Sequence, residues 1–88
     1  MDKKYEKEKA KEMLILINDY INNKDKKEIN KKINILADEL YYKKRNLISQ
    51  KMIDVALAIH SFTIAAMSGG HFQDLDEFVP DLEEIIES

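Results

Sequence analysis

The chain has 88 residues, 44% of them hydrophobic and 35% charged, which gives room for one folded domain with a modest core and excludes a disordered chain. It contains no Cys, so disulfide and thiolate chemistry are excluded, and this usage fits a reducing compartment. The net charge of −3 divides unevenly: all 14 Lys and Arg residues lie within residues 1–51, whereas residues 52–88 carry eight acids and no Lys or Arg.

Only two Gly and one Pro occur, all beyond residue 68, so the first three quarters of the chain holds no strong helix breaker. The spacing of Ala10, Met13, Leu14, Ile17, Tyr20 and Ile21 predicts a helix from about Lys4 to Ile21. Asn22-Asn23-Lys24 is expected to close it, because Asn tolerates the left-handed conformation. Asp25 with Glu28 three residues later reads as a capping box that opens a second helix. Its face is Ile29, Ile33, Leu36, Ala37, Leu40 and Tyr41. The polar patch Lys43-Lys44-Arg45-Asn46 predicts a break, with Asn46 as the next N-cap. The alternative is one continuous helix from Glu28 to Met67, since Ile33, Ala37, Tyr41, Lys44, Ile48, Met52, Val55 and Ile59 keep an unbroken register. A helix of that length is unusual in a small domain, and it would form a hairpin that must dimerise.

The third helix, Leu47–Met67, is apolar on nearly every side from Val55 to Met67, so it is expected to be central and covered all round. Ser68-Gly69-Gly70 should stop it. A short fourth helix follows, capped by Asp74 with Glu77 or by Asp76, with Pro80 confined to its first turn. Phe72, Leu75, Phe78, Val79, Leu82, Ile85 and Ile86 supply its docking face. The fold class is therefore all-α, an antiparallel four-helix bundle spanning residues 1–88 as a single domain.

No signal peptide is visible in the charged opening MDKKYEKEKAKE. The nearly uncharged stretch Val55–Gly70 falls short of the roughly 20 residues of a membrane span. The expected location is cytoplasmic. No nucleophilic elbow or Gly-rich phosphate loop is present, and the adjacent Glu83 and Glu84 point apart on a helix, so no enzyme and no cofactor are expected. His60 lies inside the apolar helix and reads as a core histidine satisfied by one partner. His71 with Asp74 and Asp76 matches no metal-ligand spacing, so no metal is expected. Lys3, Lys7 and Lys11 form one basic stripe and Lys24, Lys27 and Lys31 another, which could meet anionic lipid. Glu6, Glu8, Glu12 and Glu28 dilute that field, and nucleic acid is not expected as a partner. The acidic end is the candidate partner-binding surface, with His71, Phe72, Asp74, Asp76, Glu77, Asp81 and Glu84 as its residues. The plain alternative is that the basic and acidic halves fold against each other and neutralise.

A family pattern runs through the same residues. Its segments are Ala10-Lys11-Glu12 through Asn18-Asp19-Tyr20-Ile21, then Ile35-Leu36-Ala37-Asp38-Glu39-Leu40-Tyr41-Tyr42-Lys43-Lys44, then Ile53-Asp54-Val55-Ala56-Leu57. It closes with His71-Phe72-Gln73-Asp74-Leu75-Asp76-Glu77-Phe78 and Asp81-Leu82-Glu83-Glu84-Ile85. In order and length this resembles the immunity proteins for pediocin-like bacteriocins, especially the enterocin A type. The resemblance implies a cytoplasmic antiparallel four-helix bundle that protects a producer cell from its own peptide. It further implies action at the inner face of the membrane on the bacteriocin-bound mannose phosphotransferase permease, with specificity carried by residues 71–88. The chain departs from longer members in its short, Pro80-containing end and in its wholly N-terminal positive charge. Two other readings stay open: a small acidic antitoxin or inhibitor that masks a basic protein, and a homodimeric structural module. The protein is expected as a monomer or homodimer, with peripheral membrane contact available to its Lys-rich half.

Overall fold

The computed structural model describes residues 1–69 and 75–88, and four α-helices account for most of them. Helix α1 spans Lys3–Asn22. Asp2 caps it by accepting the Tyr5 backbone N–H at 3.0 Å. The residues it buries, Glu6, Ala10, Met13, Ile17 and Tyr20, recur at intervals of four and three along one face. It does not end in a left-handed residue: Asn23 is extended, with φ −114° and ψ 152°. Asn22 turns back to donate to the Asn18 carbonyl at 2.9 Å, satisfying an end group that a left-handed cap would otherwise have served.

Helix α2 spans Lys26–Asp38. Asp25 occupies its N-cap, but the side chain makes no cap hydrogen bond, so the expected capping box with Glu28 does not form. Past Asp38 the helix widens into a π turn, Glu39–Lys43, and a 3-10 turn follows at Arg45–Leu47. The break is therefore real and the continuous helix from Glu28 to Met67 is excluded. Its position differs from the expected one: Ser49, not Asn46, caps the next helix, accepting from Met52 N at 3.2 Å. Asn46 sits exposed within the 3-10 turn.

Helix α3 spans Gln50–Met67. It buries Met52, Val55, Ala56, Ile59, His60, Thr63 and Ala66. It is not covered all round, because Leu57, Ile64 and Met67 remain 40%, 45% and 46% exposed. Geometry explains the difference: α1 packs against α2 and α4, and α3 packs against the same two, so each helix in the ring keeps an outer side. Gly69, at φ 90°, stops α3 as its composition predicts.

A 3-10 turn, Leu75–Phe78, leads into helix α4, Val79–Glu87. Pro80 falls in the first turn, where its missing N–H costs nothing. Phe78 holds the N-cap position without a side-chain cap, so neither Asp76 nor Glu77 performs the expected capping. Both lie in the preceding turn, and Asp74 lies outside the described residues.

The short connections make successive helices antiparallel, and the core is a single cluster to which all four contribute, including Ile17, Ile33, Leu40, Met52, Ile59 and Leu82. One polar seam crosses it between α2 and α3. Asn30, 2% exposed, donates to the Thr63 carbonyl at 3.0 Å, and Asn34 donates to Thr63 Oγ1 at 2.9 Å. Thr63 Oγ1 in turn donates to the His60 carbonyl at 2.8 Å, so these buried polar groups are paired. Among the described residues no helix is long and apolar enough to cross a membrane.

Candidate functional site

The acidic end is built inside out. Leu75, Phe78, Leu82 and Ile85 are buried, and the Phe78 ring meets Phe62 of α3 edge-on with centroids 5.4 Å apart. With those positions turned inward, Asp76, Glu77, Glu83, Glu84 and Glu87 face solvent and Asp81 is half-buried. Asp76, Glu77 and Asp81 thus gather around the start of α4, where the helix dipole favours negative charge. Glu84 is turned elsewhere, toward α3, and its carboxylate lies 2.6 Å from Lys51 Nζ. His71, Phe72 and Asp74, the remaining candidates, lie outside the described residues.

Among the described residues the Lys51–Glu84 contact is the pair that joins a Lys of the basic half to an acid of the acidic half. The two side chains are 41% and 72% exposed, so solvent screens the attraction. Lys51→Ala or Glu84→Ala should each change stability by no more than about 0.5 kcal/mol, measured by urea unfolding. Among the described residues Asp76, Glu77, Asp81, Glu83 and Glu87 form no ion pair with the basic half.

The basic residues divide into two places. Lys3, Lys4, Lys7 and Lys11 line a shallow trough with Glu8 on α1. Lys27 and Lys31 flank a groove completed by Asn30, Ala66 and Met67, on the α2–α3 side of the bundle. His60 is buried, as its apolar setting predicts, with Nε2 3.3 Å from Asp38 Oδ1 and the Tyr42 ring edge-on at 5.6 Å. Among the described residues no group of three His, Asp or Glu side chains could hold a metal ion.

Two clusters escape a reading by composition alone. Glu6 is 2% exposed and accepts the Ser49 backbone N–H at 2.7 Å as well as the Ser49 hydroxyl. A signal for it existed: Glu6 continues the buried stripe of Ala10, Met13, Ile17 and Tyr20 by one turn. The second cluster surrounds Tyr5, whose hydroxyl is buried without a hydrogen-bond partner. Burial raises the Tyr5 pKa above 10.0, the nearby charge of Glu39 adds to this, and Lys9 opposes it. Lys9 is itself raised above 10.5: burial pulls it down, but the hydrogen bond and charge of Glu12 prevail. Both groups hold their protons longer in the folded chain than in the unfolded one. Their contribution to stability is thus complete below the unfolded values and is lost as pH rises through the folded ones. The melting temperature should hold to about pH 9 and fall above it. Tyr5→Phe should reduce that alkaline fall and cost nothing at neutral pH, because the hydroxyl it removes is unpaired. A melting series from pH 7 to pH 11 on both proteins checks this.

Among the described residues, then, the site is a surface of acids set on a well-anchored helix. No protein-family model, no curated protein and no solved structure matches the chain.

Proposed function

We propose that the chain is an immunity protein of the pediocin-like bacteriocin type, which protects its cell by binding and not by catalysis. Its target is the bacteriocin-bound mannose phosphotransferase permease, met at the cytoplasmic face of the membrane. The observation that carries this reading is the division of labour in residues 75–88. Their apolar side chains are spent on the core, while Asp76, Glu77, Glu83 and Glu87 are displayed outward. The order of features from Ala10 to Ile85 supports the same reading, since the resemblance implies a four-helix bundle with specificity at its C-terminal end. The Lys3, Lys4, Lys7 and Lys11 trough supports peripheral contact with an anionic leaflet, at roughly 1 kcal/mol per nearby cation.

Expression in a susceptible bacterium, challenged with a panel of pediocin-like bacteriocins, tests the proposal. Selective protection against one or a few peptides is the expected result, and exchange of residues 71–88 with those of another immunity protein should transfer the selectivity. Uniform sensitivity despite a folded, expressed chain would sink it. The same exposed acids favour a second reading, an inhibitor that masks a basic protein. Stable co-purification with a soluble basic partner, in place of protection, would select that reading.

A further inference from the structure

The outer side of α3 carries a pattern that neither the core nor the acidic end uses. Asp54, Leu57, Ser61, Ile64 and Ser68 are exposed and recur at intervals of three and four. That spacing keeps a single seam pointed at a neighbouring helix. Leu57, Ile64 and the adjoining Met67 leave 40–46% of their surface uncovered along it. Ser61 at the midpoint donates its hydroxyl to the Leu57 carbonyl at 3.1 Å, so it asks nothing of a partner and permits close approach.

The rim of α2 runs beside this seam in the opposite direction. Lys27 and Lys31 flank the groove that Met67 closes. Asn34 bonds to Thr63, Asp38 lies 3.3 Å from His60, and the Tyr42 ring, 62% exposed, meets the same histidine. Read along the rim, two cations stand at one end, a neutral amide in the middle, and an anion and an aromatic ring at the other. A surface charged in this order is complementary to itself when turned end for end.

We propose that this face pairs with the same face of a second copy, with the α3 helices antiparallel about a two-fold axis passing Ser61. The axis sets Leu57 against Ala65 of the second copy and Ile64 against its Ala58. It also directs Lys31 toward Asp38 of the second copy and Lys27 toward its Tyr42, an ion pair and a cation–π contact. A parallel pairing would set cation on cation, so charge selects the antiparallel one. Leu57, Ile64 and Met67 are each more than half covered already in the single chain, so the face adds little apolar burial and the dimer is concentration-dependent. This inference goes beyond the immunity reading and does not rest on it.

Sedimentation equilibrium from about 5 µM to about 1 mM should show the mass rising from one chain to two across this range. Ile64→Lys, at an exposed position, should keep the melting temperature and remain one chain throughout. Because the protein has no Cys, Ser61→Cys provides a second test: mild oxidation should link two copies rapidly, whereas Glu83→Cys on α4 should not link. A wild-type chain that stays monomeric at the top concentration overturns the proposal. So does an Ile64→Lys variant that dimerises as well as wild type, or a Ser61→Cys variant that links no faster than Glu83→Cys. A monomeric wild type whose Ile64→Lys form loses protection against bacteriocin would assign the face to a protein partner and overturn the dimer.

Discussion

Ile59→Asp is expected to abolish the cooperative thermal transition and leave a chain with little fixed structure. Ile59 is 0% exposed and lies on α3, the helix that joins α2 to α4 through the core. A carboxylate at that position must either leave water unpaired or take up a proton, and each route costs several kcal/mol. A domain of this size has roughly 5–10 kcal/mol to lose, and deletion of the isoleucine's own packing removes a further ~2–5 kcal/mol. Ile59→Val is the control that separates charge from shape. It should lower stability by only about 0.5–1.5 kcal/mol, with the transition intact. Circular dichroism melts of the three proteins decide the matter. A cooperative Ile59→Asp melt near the wild-type temperature would place Ile59 outside the core.

What could be read from the sequence, and what could not, divides by the range of the interaction involved. The faces of α1 and α2, the stop at Gly69 and the placement of Pro80 depend on neighbours within one or two turns, and local pattern carried them, except that Ile21, expected on the α1 face, is left 39% exposed at the helix end. The identity of the α3 cap did not follow the same rule. Asn46 and Ser49 both have capping side chains, and the choice falls to Ser49 because Glu6, 43 positions away, holds its N–H and hydroxyl. No local spacing reports such a contact. Helix α3 looked wholly enclosed because its composition is apolar on every side, but enclosure is settled by how many neighbours a four-helix ring provides. Leu57, Ile64 and Met67 paid for that geometry with exposure. For the candidate site, charge counting located the acidic segment. It could not foresee that Glu84 would be drawn aside to Lys51 while Asp76 and Glu77 stay outward.

Glu6→Ala should be the costliest change on the polar framework, lowering stability by about 2–4 kcal/mol in urea unfolding. The Glu6 carboxylate is the acceptor for two Ser49 donors at once, and the Ser49 hydroxyl oxygen is the acceptor for Met52 N. Removal of Glu6 therefore strands a backbone N–H and a hydroxyl at a site with little water, and loosens the cap that starts α3. The neighbouring bond from Asp2 N to the Leu47 carbonyl, 2.9 Å long, would remain to tie the start of α1 to the turn before α3. Glu6→Gln keeps one carbonyl acceptor and should cost less, about 1 kcal/mol. Ser49→Ala removes the hydroxyl but leaves its N–H bonded to Glu6, and about 1–2 kcal/mol is expected, the ordinary loss of a cap. Because Glu6 and Ser49 act as a unit, the double variant should cost clearly less than the two single losses added together. Hydrogen exchange gives a local readout. The amides of Met52 and Ile53, bonded to Ser49 in the wild type, should open faster in Glu6→Ala, while Thr63 and its neighbours at the far end of α3 keep their protection. A Glu6→Ala protein as stable as wild type, with Met52 still protected, would mean that apolar contacts around Ile48, 5% exposed, fix the corner and that the buried carboxylate does not.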